Sequence, residues 1–147
     1  MEKLVLEKNL DDYYILEVND KGDTIEFDLT DIRLPQLIME AGDNMEKLGN
    51  EYAKKEKEIL ESSKTDEEKV RELFEIENEH SKELRKLFDS FLGEGACYKI
   101  FGNKESFGQY NKLMEALEPH FKKMKFKRDK AQERLANKYI EKKSDVI

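Results

Sequence analysis

The chain has one cysteine, no tryptophan, two histidines and two prolines in 147 residues. A lone thiol, Cys97, cannot close an intramolecular disulfide, which fits a reducing compartment. Two histidines and one cysteine are too few for a structural zinc centre of the Cys/His kind. No apolar run approaches the ~18 residues that a membrane helix needs. The start, MEKLVLEKNL, lacks the apolar core of a secretory signal. These absences lead to the expectation of a cytoplasmic protein with no membrane partner.

What is present is charge. Asp, Glu, Lys and Arg make up 41% of the chain, with a net charge of −7. Eight Phe and six Tyr still supply large groups to bury, which argues against wholesale disorder. At ~100–200 residues per domain, a second core is not expected. Charge is also unevenly placed. Residues 122–143 hold ten Lys/Arg against Asp129, Glu133 and Glu141, so that segment is +7 and the remainder −14.

Residues 1–30 read as β structure. Tyr14, Leu16 and Val18 alternate with Tyr13, Ile15 and Glu17, and Ile25, Phe27 and Leu29 alternate with Thr24, Glu26 and Asp28. The joint Asn19-Asp20-Lys21-Gly22-Asp23 predicts a hairpin turn. It resembles a calcium loop only in having acids near a glycine, since Thr30 stands where the distal glutamate would be. Leu4 and Leu6 suggest a third, shorter strand through the Asn9–Asp12 turn.

The rest reads as helix. Pro35 fits a helix start, and Ile38, Ala41, Met45, Leu48, Tyr52 and Ile59 follow at spacings of three and four, with Lys55 filling one position of the seam. Thr65 and Glu68 form a capping box for a second helix. Val70, Leu73, Phe74, Leu84, Leu87, Phe88 and Phe91 make its stripe, interrupted at Glu77 and His80. A short helical turn, Ala96–Phe101, lies between glycines. A last helix is predicted over about 106–142, with a kink or break at Pro119 and a stripe that thins after Met124. Its final twenty residues are expected to fray or to need a partner. The fold expected is α+β and predominantly helical: a single domain over 1–147, with a hairpin region (1–30), a helical body (35–125) and a basic tail (126–147).

No catalytic constellation emerges. Glu77-x-x-His80 is half of a carboxylate-bridged di-metal motif, but His120 has Leu117 three residues before it, so the second half is missing. Lys104 is followed by Glu105 where a phosphate loop needs a hydroxyl. Cys97 has no signature of a nucleophile around it and reads as a buried filler. No enzyme activity, metal or cofactor is expected. The basic segment reads as a solvated helix face, a dock for acidic protein, or a nucleic-acid contact. Sparse aromatics and the net negative charge count against the last.

The stretch from Leu84 to Gly102, LRKLFDSFLGEGACYKIFG, resembles the segment F-D-x-x-F-G-E-G-A-x-x-K-I-F-G of small proteins from Gram-positive tailed phages, the tail assembly chaperone group. Leu92 stands as an insertion before the first glycine. Phe27-Asp28-Leu29-Thr30-Asp31, Leu34-Pro35 and the later helix with a mid-segment proline extend the likeness over about residues 11–125, and the basic tail has no counterpart. The resemblance implies a non-enzymatic chaperone in the host cytoplasm that binds the tape-measure protein and recruits tail-tube protein while a tail is built. The expected contact residues are Phe88, Phe91, Tyr98, Ile100 and Phe101, with Met45, Leu48 and Tyr52 of the first-helix seam. Two alternatives stand beside it: a helical-hairpin protein that self-associates through Ile38–Ile59, and a nucleic-acid-associated regulator using Lys122–Lys143.

Overall fold

The structure is a computed structural model that describes residues 1–145. A two-stranded antiparallel sheet, β1 (Tyr13–Glu17) and β2 (Thr24–Asp28), precedes four helices: α1 (Leu34–Leu60), α2 (Asp66–Leu92), α3 (Ala96–Phe101) and α4 (Gln109–Asp145). The architecture is α+β and predominantly helical, as the periodicities predict.

The hairpin register pairs Tyr14 with Phe27 and Leu16 with Ile25, so the apolar face of each strand comes to the same side. Tyr14, Ile25, Phe27 and Leu29 are buried against the helices, whereas Ile15 on the other face is exposed. The Asn19 side chain organises the turn: Oδ1 accepts from the backbone N–H of Lys21 and Asp23, and Nδ2 donates to the Lys99 carbonyl of α3 at 2.9 Å. Lys99 returns the contact, its Nζ donating to the Thr24 carbonyl at 3.1 Å.

The third strand is not formed. Residues 1–9 hold no regular structure, and Leu4 and Leu6 are exposed. Leu4-Val5-Leu6 is a continuous apolar run without the alternation a half-buried edge strand needs. The Asn9 side chain also accepts from Asp11 N–H and closes a single 3-10 turn over Leu10–Asp12 that redirects the chain.

Helices α1 and α2 pair as an antiparallel hairpin, since only five residues join them. Thr65 caps α2, its hydroxyl accepting from Glu68 N–H at 3.2 Å. Its acidic first turn suits the positive end of the helix dipole. Gly95 and Gly102 flank α3 with φ of 76° and 64°, values that a side chain with a Cβ rarely adopts. They let the chain turn sharply into and out of six helical residues.

Helix α4 starts three residues later than expected and runs through Pro119 without the predicted break. Pro119 removes one backbone donor, but Glu115, whose carbonyl loses its partner, is exposed, so water can replace the bond. Buried Leu117 and Met124 hold the helix on both sides. In the described part of the tail Ala131 is buried, Arg134 comes within 3.8 Å of Asp12, and helix continues to Asp145; residues 146–147 lie outside the described residues. Tyr110, Leu117, Met124 and Ala131 are all buried at intervals of seven, the seam along which α4 lies on the body. The side chains of Lys142 and Lys143 lie outside the described residues.

Candidate interaction surface

The eight predicted contact residues separate by burial. Phe88 is 0% exposed, packed against Tyr110 at a ring-centroid distance of 5.3 Å. It offers no surface to a partner, and that part of the prediction is corrected: on α2 it is enclosed in the core against Tyr110 of α4. Tyr52 is likewise buried, stacked on His80. Phe91 is half-buried, closing a three-ring contact with Phe27 and Phe121 at 5.9 and 5.8 Å. Phe101 is half-buried against Tyr110, Ile100 and Met45 also pack partly on the core, and Leu48 is half-buried. Tyr98 alone among the eight is well exposed, at 62%.

Pattern reading missed the most exposed aromatic. Phe107, 94% exposed, sits in the 102–108 loop between α3 and α4. Arg85 of α2 holds that loop. Its guanidinium pairs with Glu105 at 2.7 Å and donates to the carbonyls of Gly102 and Lys104 at 3.0 and 3.3 Å. Ser81 and buried Gln109 also bond Glu105, and Gln109 Oε1 accepts from Ser106 N–H. The loop is therefore tied down while its one aromatic points outward. A signal was available: Phe107 fits neither flanking helical stripe and is followed by a glycine.

Phe107 stands at one end of a cleft between α1 and α2, whose walls include Gly49, Ala53, Ile76 and the stacked His80. Glu56 and Glu77 line the same cleft, and residues 43–83 as a whole carry fourteen acids against eight Lys/Arg. Val70 and Phe74, at 47% and 62% exposed, lie four residues apart on α2. That row continues to Glu77, Asn78 and Ser81, which approach Phe107. Within the cleft wall, His80 Nε2 is buried with no hydrogen-bond partner. Burial pushes the His80 pKa down, and Glu51 opposes this only in part.

A second, oppositely charged surface lies on α4. Phe126 is 65% exposed. Lys122 and Lys123 precede it by four and three residues and Lys130 follows by four, which puts all three around it on one helix face. Lys130 Nζ lies 5.5 Å from the ring centroid.

The groups weighed as chemical centres have other roles in the structure. Cys97 is 0% exposed, its thiol donating to the Arg85 carbonyl at 3.7 Å. Burial, with Asp89 beside it, pushes its pKa up to about 12. His120 Nδ1 shares a 2.7 Å hydrogen bond with the Tyr14 hydroxyl. Among the described residues no group of three or more His, Cys, Asp or Glu is placed to hold a metal ion, and no helix is long and apolar enough to cross a membrane.

Compared with known proteins, residues 21–145 match a family described as a family of unknown function, DUF6673. No curated protein and no solved structure matches the chain.

Proposed function

We propose that this chain, which belongs to that family of unknown function, is a polypeptide-binding assembly factor of the tail assembly chaperone kind. It grips the tape-measure and tail-tube proteins reversibly while a phage tail is built, and it makes or breaks no covalent bond. The client surface is the row Val70, Phe74 and Phe107, with Tyr98 as a separate contact. One observation carries this reading: Phe107 is 94% exposed on a loop that the Arg85–Glu105 ion pair and the Gln109–Glu105 hydrogen bond tie down. A large apolar side chain held outward, rimmed by charge, is what a reversible protein contact requires. The resemblance of Leu84–Gly102 to phage tail chaperones supplies the client's identity.

The test is titration calorimetry of the full chain against a purified tape-measure fragment from the neighbouring reading frame. Binding is expected in the micromolar range or tighter, weakened at least tenfold, about 1.4 kcal/mol, by Phe107→Asp together with Phe74→Asp. Absence of heat and of co-elution with both tape-measure and tail-tube proteins would remove the assignment.

A further inference from the structure

The α1–α2 cleft and the Phe126 face of α4 carry opposite charge around apolar centres. The cleft is floored by small and apolar groups, Gly49, Ala53 and Ile76, and edged by Glu56 and Glu77. A Cβ added at Gly49 would meet nothing within 4 Å, so an incoming side chain can approach the backbone there. The opposing feature is a single exposed aromatic with Lys122, Lys123 and Lys130 around it. An aromatic anchor entering an apolar cleft, with lysines meeting the acids at its rim, is the usual anatomy of a specific protein contact.

One molecule cannot make this contact with itself. Helix α4 is bound to its own body through Leu117, Met124 and Ala131, with Arg134 beside Asp12. Lys127 of the same segment lies over Tyr14 of the sheet, 5.3 Å from its ring centroid. Phe126 is thereby fixed on the sheet end of the molecule, while the cleft is walled by α1, α2 and Phe107 of the loop before α4. We propose that the cleft of one copy receives the Phe126 face of a second copy, giving head-to-tail self-association driven by the acidic hairpin and the basic segment. The two patches differ, so an open assembly of any length keeps one free cleft and one free Phe126 face, and its size rises with concentration. This contact does not depend on the client reading: a chain that binds no tape-measure protein would still make it.

The test uses full-length chains in sedimentation velocity at low and high salt. Wild type is expected to gain mass with concentration at about 50 mM NaCl and to return to monomer near 0.5 M, because exposed charge pairs are screened. Ala53→Arg blocks the cleft and Phe126→Glu the opposing face, both at exposed positions. Each alone should weaken association at least tenfold. A mixture of the two should form a 1:1 dimer that grows no further, because one working half remains on each partner. The triple K122E/K123E/K130E, which leaves every apolar side chain in place, should match Phe126→Glu. A wild type that stays monomeric at low salt, or single variants that still assemble, or a mixture that does not pair, would overturn the proposal. So would retention of a labelled oligonucleotide by the three lysines on a monomeric chain.

Discussion

His80 of α2 lies face to face with Tyr52 of α1, ring centroids 4.6 Å apart and planes 11° from parallel, which fixes the register of the long helical hairpin. The contact needs a neutral imidazole. Nε2 is buried without a partner, so a proton placed there would be a charge without a hydrogen bond. Glu51 of α1 and Glu77, Glu79 and Glu83 along α2 are acids near this stack, yet burial outweighs them and holds the pKa below 6.5.

A pH dependence follows. In the unfolded chain His80 takes up a proton as pH falls through about 6.5, whereas in the folded chain it does so only at lower pH. Between the two values the unfolded state binds more protons, so stability is complete above the upper value and is lost on acidification. Thermal unfolding followed by circular dichroism at pH 7.5 and 5.5 should show a larger drop for wild type than for His80→Phe, which keeps a stacked ring but cannot titrate. Equal drops would show that carboxylates alone govern the acid limb.

Arg85 should be irreplaceable in holding the 102–108 loop. It bonds a carboxylate and two backbone carbonyls at once, at 22% side-chain exposure. Lysine has neither the fork nor the reach to serve all three. Arg85→Met is expected to cost roughly 2–3 kcal/mol, because it leaves Glu105 and two carbonyls short of donors. Arg85→Lys should recover less than half of that. Urea denaturation gives the stability, and limited proteolysis within the loop should speed up in both variants while cleavage elsewhere keeps pace with stability alone.

Periodicity exposed the elements but not their outer faces. The strand alternation at Tyr14–Val18 and Ile25–Leu29 named the buried side correctly, because a half-buried strand has one apolar face and a period of two. The stripe containing Phe88 was equally legible as an apolar row, but a row says only that one side of a helix is covered, not by what. Whether core or client covers it depends on where α3 and α4 fold back, and no local pattern encodes that. Phe107 escapes pattern reading for the opposite reason: an isolated aromatic in a loop has no periodic partner to give it weight, and Phe126 in its lysine run is legible only as one of a few sparse aromatics. Pro119 does not end α4 because helix propensity is a local quantity, and tertiary burial of Leu117 and Met124 offsets one lost hydrogen bond.

Phe88 and Tyr98, ten residues apart in the stretch that carries the family resemblance, should respond in opposite ways. Phe88→Ala empties a fully buried site and should cost about 3–5 kcal/mol. Tyr98→Ala, at 62% exposure, should change stability by no more than about 0.5 kcal/mol. Equilibrium urea curves distinguish them. If Tyr98→Ala proved as damaging as Phe88→Ala, the exposed side chain would be serving the fold rather than a partner.

Cys97 should behave as an inert filler until the chain opens. Its thiol is 0% exposed and its pKa is pushed up to about 12, so at pH 8 only about one molecule in ten thousand carries a thiolate. A disulfide reagent should release no chromophore from the native protein within minutes and one equivalent after addition of urea. The raised pKa also sets an alkaline limit. Stability from the buried neutral thiol is fully present below the unfolded value near 8.5–9 and is lost as pH rises toward the folded one, since the unfolded state gives up its proton first. Burial raises Tyr14, Tyr52 and Tyr110 as well, but from 10.0. The interval between about pH 8 and 9, where unfolded tyrosine is still almost wholly protonated, therefore isolates the cysteine. Wild type should lose stability across it and Cys97→Ala, starting about 1 kcal/mol lower for the lost sulfur packing, should lose little. Rapid stoichiometric labelling of the native chain at pH 8 would instead place the thiol in a site that opens without global unfolding, and the alkaline slope would vanish with it.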